Sequence, residues 1–406
     1  MDRREYFGRA VLLTIAAGLM YAINSGIRGN YGVLLGPISE NSGLEYSSIS
    51  FVLAVSQLTF GLMQPIFGVA ALKRSNVFSL KCGIGLILLG MLCLPFCRSA
   101  VTLLLVLGIC IPSGAAALSY GIIMGTISPF LPERMAPAVS GIVSACSGIG
   151  SAVFSPLLQR ISAVRGIGGA ALFLAVPALC LFPLTLYFGR LNHLPEKQEE
   201  KKNETQEMSL RRLLREALQN KNYRFLMAGF FTCGFHMAII ETHLYTQITG
   251  YGYSGQTAAF AFTIYGIATI IGSASSGMLC GRFPMKNVLG TLYASRVLWI
   301  AAFLALPKTA VTVYAFFVCL GLTGGATVPP TSGITLRLFG AKKLATLFGI
   351  VFLCHQVGSF LSAGLGGVCV TLTGDCQLLW IADAILCALA AVVSYQITDC
   401  DSCTDQ

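Results

Sequence analysis

The chain has 406 residues, of which 55% are hydrophobic and only 11% charged, with a formal net charge of +10. Soluble domains carry about a quarter charged residues, so most of this sequence cannot face water. Its solvent is lipid, and nothing in the positive balance supplies the solvated basic face that nucleic-acid binding needs.

Runs of about 20 apolar residues, enough to cross a hydrocarbon core of about 30 Å as helix, predict twelve spans. In the first half these are α1 (Ala10 to Leu35), α2 (Ser48 to Ala71), α3 (Val77 to Cys97), α4 (Val101 to Ile127), α5 (Pro137 to Gln159) and α6 (Gly168 to Phe188). In the second they are α7 (Arg224 to Ile248), α8 (Thr257 to Cys280), α9 (Val288 to Leu306), α10 (Ala310 to Leu336), α11 (Leu344 to Val370) and α12 (Leu378 to Ile397). The fold class is therefore all-α integral membrane, with an N-terminal six-helix bundle over 1–188, a linker over 189–223, a C-terminal bundle over 224–397 and a tail over 398–406. A β-barrel is excluded, because its segments are short and alternating. The first apolar run is too long for a cleavable leader and no small-residue cleavage site follows it.

Cations fall in every second loop. Arg3, Arg4, Arg9, Lys73, Arg74, Lys81, Arg134, the stretch Arg190 to Arg224, Arg282, Lys286, Arg337, Lys342 and Lys343 lie on one side; Arg98, Arg160, Arg165 and Lys308 lie on the other. The positive-inside rule places both termini in the cytoplasm, in a multi-pass protein of the cell inner membrane. Most of the 15 cysteines sit inside spans as small apolar residues, so no disulfide framework is implied. Cys400 and Cys403 form a lone CxxC in the acidic tail, a weak pattern for zinc. The linker holds SLRRLLREALQN, whose Leu210, Leu213, Leu214 and Leu218 recur at helical spacing beside Arg211, Arg212 and Arg215. This predicts an amphipathic basic helix on the inner surface.

The loops after α2 and α8 match: Gly68 precedes Lys73, and Gly277 precedes Arg282, by five residues each, before a short hinge into the next span. A duplicated six-helix unit with a site between its halves is the architecture of secondary transporters. These loops resemble the signature of the major facilitator superfamily, with Leu72 and Gly281 where that signature has an acid. GIRGNYGVLLGPIS in α1, FLPERMAPAVSGIVSACSGIGSAVFSP into α5, GFHMAIIETHL in α7 and LFGIVFLCHQVGSFLSAGLGG in α11 resemble the bacterial branch of the monocarboxylate transporter family, of monocarboxylate or oxalate-formate type. The resemblance implies two bundles related by a pseudo-twofold axis, rocking about a midplane site. It also implies an Arg in α8 that meets the substrate carboxylate, but that position is Ser273 here and the usual acidic companion is Thr269. The anchor must lie elsewhere.

A charge at membrane depth costs roughly 3 kcal/mol or more and is usually functional or paired. Arg28 in α1 and Glu241 in α7 lie on helices that line the cavity in the resembled family, about eighteen and seventeen residues into their spans at about 1.5 Å per residue. They are candidates for anion binding and proton coupling, with a structural ion pair as the plainer reading. Asn24, Arg28 and Tyr31 form one polar stripe at i, i+4 and i+7, which should face water or substrate rather than lipid; they are assigned to substrate binding together with Tyr120 in α4, which aligns with an aromatic that touches substrate in the resembled family. Of the 4 histidines, His236 and His243 lie on one face of α7 and His355 lies in α11; His236 is assigned to proton coupling and His355 to substrate binding. Arg296 and Asp383 belong to peripheral helices and are expected to pair or pack. Gly68, Lys73, Gly277, Arg282, Pro329 and Pro330 are assigned to gating.

No nucleotide-binding loop, covalent catalytic constellation or cofactor motif is present. The expected function is secondary transport of a small organic anion, a carboxylate, coupled to a proton or a counter-anion, by a monomer in the bilayer with no nucleic-acid partner. An exporter of drugs or hydrophobic compounds is the alternative, disfavoured by the excess of Arg and His over acids, and a transporter-like receptor is a remote one.

Overall fold

A computed structural model describes residues 3–127, 130–131, 136–191 and 210–398. Within them α1 is Arg3–Arg28, continued past Gly29 and Asn30 by Tyr31–Ser42, α2 is Tyr46–Lys73 and α3 is Asn76–Cys93. The fourth helix, α4, runs through Ala100–Leu103, the π-helical Leu104–Cys110, Ile111–Ala117 and Tyr120–Ile127. In the second half α7 comprises Lys221–Ala238, the π-helical Ile239–Leu244 and Tyr245–Gly250; α8 is Gly255–Cys280 and α9 is Met285–Ala305. Finally α10 comprises Ala310–Gly324, the 3₁₀ turn Gly325–Thr327 and Val328–Phe339, α11 is Ala341–Thr373 and α12 is Gln377–Tyr395. Helix is what lipid demands, since each buried N–H and C=O must be paired within its own segment.

Among the described residues eleven helices are long and apolar enough to cross a membrane, and one of them, Gly141–Gly189, has 49 residues. At about 1.5 Å per residue it is more than twice too long for one crossing. It holds both α5 (136–165) and α6 (167–191), because Gly166 leaves the helix at φ 58, ψ −158, a left-handed φ that glycine tolerates. The chain doubles back there: the rings of Phe154 and Phe173 meet at 5.7 Å between centroids. The twelve spans of the sequence are thus present.

One apolar core, from Ala10 to Phe188, holds the first half. The second half has two, one around Phe262, Phe317 and Trp380 and one around Tyr223, Phe230 and Tyr293. The linker helix Leu210–Gln219 is present and docks on the latter through Leu213 and Ala217. Leu218, predicted on its apolar face, is 46% exposed; the face that packs is narrower than the leucine spacing suggests. Arg3, Arg4, Arg134, the linker before Leu210 and Cys400 and Cys403 contribute no side chains to the described residues.

The halves meet through α2 with α11, α5 with α8 and α1 with α7. Across α5 and α8 a Cβ on Gly148 would collide with Gly266 O, and one on Gly266 with Gly148 O. Only glycine allows that approach. Thr263 Oγ1 donates to Ala152 O at 2.9 Å one turn further along. Between α2 and α11, Gly367 packs on Ser50, Ala363 on Ala54 and Gly61 on Gln356. These contacts run from the end opposite the basic loops to the middle of the bundle. Toward the basic end of the same helices, Gly68, Gly141, Gly277 and Gly349 have nothing within 4 Å of where a Cβ would stand. Among the described residues, the contacts above close the halves together at the end opposite the basic loops.

Candidate functional site

Four helices are interrupted near mid-bundle, and the interruptions are built by side chains. In α1 the break follows Arg28: Asn30 leaves helical geometry at φ −121, ψ 20, and its Nδ2 donates to Gly26 O at 2.7 Å, taking the carbonyl its own backbone has released. Arg28 therefore ends a helical segment, where carbonyls favour a cation. In α4 the break at Leu118 and Ser119 is held by Asn24, whose Nδ2 donates to Ala115 O at 3.1 Å and Leu118 O at 2.9 Å. In α7 it is the π-helical turn that carries Glu241; such turns are frequent at functional positions. In α10, Pro330 cannot donate to Ala326 O, and Ser276 Oγ donates there instead at 2.5 Å.

The two interior charges on α1 and α7 do not touch. Arg28 Nη2 donates to Gln57 Oε1 at 2.8 Å, and Gln57 Nε2 donates to Glu241 Oε2 at 3.2 Å. Gln57, on α2, is 2% exposed. It turns its acceptor to the cation and its donor to the acid, so one amide joins the N-terminal half to the C-terminal half. The Arg28 guanidinium also lies 3.5 Å over the Phe60 ring, a contact worth about 2 kcal/mol when desolvated. Phe60 meets Phe352 edge-on at 6.3 Å, and Phe352 stacks on His355 at 5.2 Å with 8° between planes. Arg28, Glu241 and His355 are all partly exposed inside the bundle. They form a small chamber with one cation, one acid, one imidazole and an aromatic wall.

The remaining candidates divide by location. Tyr120 is half-buried against Tyr21, ring to ring at 5.6 Å, on the same side as Arg28. Tyr31 is 1% exposed within the N-terminal core, and the Asn24 amide is committed to α4, so the polar stripe of α1 is a packing seam on either side of Arg28. His236 is fully buried and bonds Asp383 Oδ2 through Nδ1 at 2.6 Å; it faces α12 and not the chamber. His243 joins the closed end: Tyr46 Oη lies 2.7 Å from its Nδ1, and its Nε2 lies 3.0 Å from Ala363 O. Arg296, also fully buried, donates to Thr323 O at 2.6 Å and Gly324 O at 3.0 Å beside the α10 break. Asp383 pairs with His236.

Among the gating candidates, Gly68, Gly277 and Arg282 lie at the basic-loop end with Arg282 exposed, and the Lys73 side chain is outside the described residues. Pro329 and Pro330 open the segment after the 3₁₀ turn of α10. Ser273 Oγ faces Gly325 on α10 and Thr269 Oγ1 donates to Tyr265 O at 2.8 Å; α8 supplies no cation, and near mid-bundle Arg28 is partly exposed whereas Arg296 is fully buried. Gln57 was not a sequence candidate. A neutral glutamine in a span carries no signal until α1, α2 and α7 are brought together.

The sequence profile of the Major Facilitator Superfamily matches residues 17–363, and again 247–398. Monocarboxylate transporter 12 of Mus musculus is 27% identical over 378 residues, covering 86% of this chain and 76% of the relative. The uncharacterized MFS-type transporter YcxA of Bacillus subtilis is 23% identical, covering 96% of this chain and 94% of its own. Among solved structures, a bacterial homolog of the human lysosomal transporter Spinster, in an inward-facing and unoccupied conformation, superposes with a TM-score of 0.74 at 15% identity over 98% of both chains. The nucleoside transporter NupG gives 0.72 at 16% identity over 95% of this chain and 100% of its own.

Proposed function

The chain belongs to the Major Facilitator Superfamily, and on that premise we propose that it is a secondary transporter of a small organic anion, a carboxylate, working by alternating access. The observation that carries the reading is the partly exposed Arg28, held by Gln57 against Glu241 across the two halves. A site at the seam between two rocking bundles binds its cargo with groups from both. Arg28 is the anion anchor, and its planar fork suits a carboxylate. Tyr120 and His355 line the chamber, and Phe60 and Phe352 take the apolar part of the cargo. Glu241 carries the coupling proton, or, if the cycle is an exchange, simply discharges the site between anions. The kinship to monocarboxylate transporter 12 supports a carboxylate cargo.

The positive-inside rule puts the basic loops, and with them both termini, in the cytoplasm of the cell inner membrane. The end closed by contacts between the halves is then the outer one, and on this reading the site faces the cytoplasm. Gly68, Lys73, Gly277 and Arg282 lie where the cytoplasmic gate closes, and the α10 break before Pro329 and Pro330 is where that helix bends. His236, at zero exposure against Asp383, is a weaker proton carrier than Glu241.

The test is a thermal-shift panel of purified protein with acetate, pyruvate and benzoate, followed by radiolabelled uptake into proteoliposomes with an imposed pH gradient. Stabilisation by a carboxylate that Arg28→Ala abolishes supports the assignment. Full uptake by Arg28→Ala, or binding of lipophilic cations in place of carboxylates, overturns it. Uptake indifferent to the pH gradient but driven by internal anion replaces proton coupling with exchange.

A further inference from the structure

We infer that Gln57 is a positioning residue that makes anion binding and protonation depend on one another; the inference rests on the assignment of Arg28 and Glu241 above. An amide is unsymmetrical, with an acceptor at one end and donors at the other. Gln57 Oε1 accepts from Arg28 while Nε2 donates to Glu241, which is the orientation that a cation and an ionised acid impose together. While Glu241 is ionised, the amide is pinned at both ends and occupies the nitrogen that a carboxylate would use. An arriving anion must expel it and place a second negative charge beside Glu241. Once Glu241 takes a proton, Nε2 keeps only the weaker bond to a neutral carboxyl oxygen, the amide is pinned less firmly at that end, and the anion displaces Oε1 from a site with a net positive charge. Proton and anion therefore enter together.

The burial of Gln57 directs this linkage. At 2% exposure it cannot swing into solvent, so its release moves the amide within α2. Three and four residues along that helix stand Phe60, under the guanidinium, and Gly61, packed on Gln356 of α11. The groups facing Glu241 are Arg28, Tyr21 and Tyr31 from α1, Gln57 from α2 and Tyr265 from α8, while His355 from α11 faces Arg28. Of these only Gln57 bonds both charges.

The experiment measures the dissociation constants of acetate, pyruvate and benzoate at pH 6 and pH 8 for the wild type, Gln57→Ala and the volume-conserving Gln57→Met. In the wild type, binding weakens about tenfold from pH 6 to pH 8, a coupling of ordinary size. In both variants affinity at pH 8 improves and the ratio falls to about twofold, with Glu241→Gln giving a pH-independent value in every background. A variant ratio equal to or larger than that of the wild type overturns the relay while leaving the anion site standing. A wild type that binds a carboxylate without pH dependence overturns it as well. A wild type that binds none of the three removes the anion assignment itself, and the relay with it. If Gln57→Ala does not fold, Gln57→Met decides.

Discussion

His236 Nδ1 stands 2.6 Å from Asp383 Oδ2, and both side chains are at zero exposure, so α7 is tied to α12 by a polar contact that neither water nor the chamber reaches. Breaking a buried pair on one side leaves the other group unsatisfied, at about 3–5 kcal/mol. Asp383→Ala is expected to lower the melting temperature in detergent by several degrees or prevent accumulation. Cargo affinity per folded molecule should stay within about twofold. A variant as stable as the wild type would show that the pair contributes nothing.

Arg296→Lys should be poorly tolerated although charge is kept. The guanidinium reaches Thr323 O and Gly324 O at once from one nitrogen and lies 5.3 Å over the Tyr293 ring. An ammonium is a more strongly hydrated point charge on a shorter stem, and it cannot lie over the ring as the planar guanidinium does. A loss of about 2 kcal/mol is expected, read as a lower melting temperature, with Arg296→Met costing less than Arg296→Lys if desolvation of the charge outweighs its bonds.

Gly148→Leu places a side chain where Gly266 O and Ile270 now stand. The α5 and α8 helices can then no longer meet, and overpacking of this kind typically costs about 1–3 kcal/mol. The closed end is forced apart. Transport should fall at least about tenfold, and amide hydrogen exchange in α5 and α8 near the Gln159 and Gly255 end should rise. Unchanged exchange there would mean that the contact does not hold that end shut.

Tyr46→Phe removes the hydroxyl that reaches His243 Nδ1 across the halves. With Nε2 facing Ala363 O, that nitrogen carries the proton and Nδ1 is the acceptor, so Tyr46 is the donor. Membrane hydrogen bonds of this sort are worth about 1 kcal/mol. The expected result is about a fivefold rise in the fraction open at this end, read by exchange at the start of α2, with cargo binding intact.

The spans were legible because hydropathy and loop charge are set by lipid, residue by residue. Arg28 and Glu241 were legible for the same reason, a charge at depth being conspicuous in one dimension. The polar stripe of α1 was seen as a stripe, yet its direction was not: Asn24 serves the α4 break, which no local pattern in α4 announces. The partner of Asp383 was hidden because the pairing joins α7 to α12, 147 residues apart. Gln57 was hidden because its meaning lies in having two charged neighbours and not in its own chemistry.

The buried charges of the second half bear on how the protein is made. Arg296 in α9 and Asp383 in α12 enter the bilayer one helix at a time, each at an insertion cost of roughly 3 kcal/mol. The carbonyls that receive Arg296 belong to α10, which emerges after it, while His236 in α7 waits for Asp383 in the last span. The C-terminal half therefore cannot assemble helix by helix in the order of synthesis. Its packing is complete only once the last span is in the bilayer, whereas Arg28 of the N-terminal half finds its acceptor, Gln57, on the very next helix.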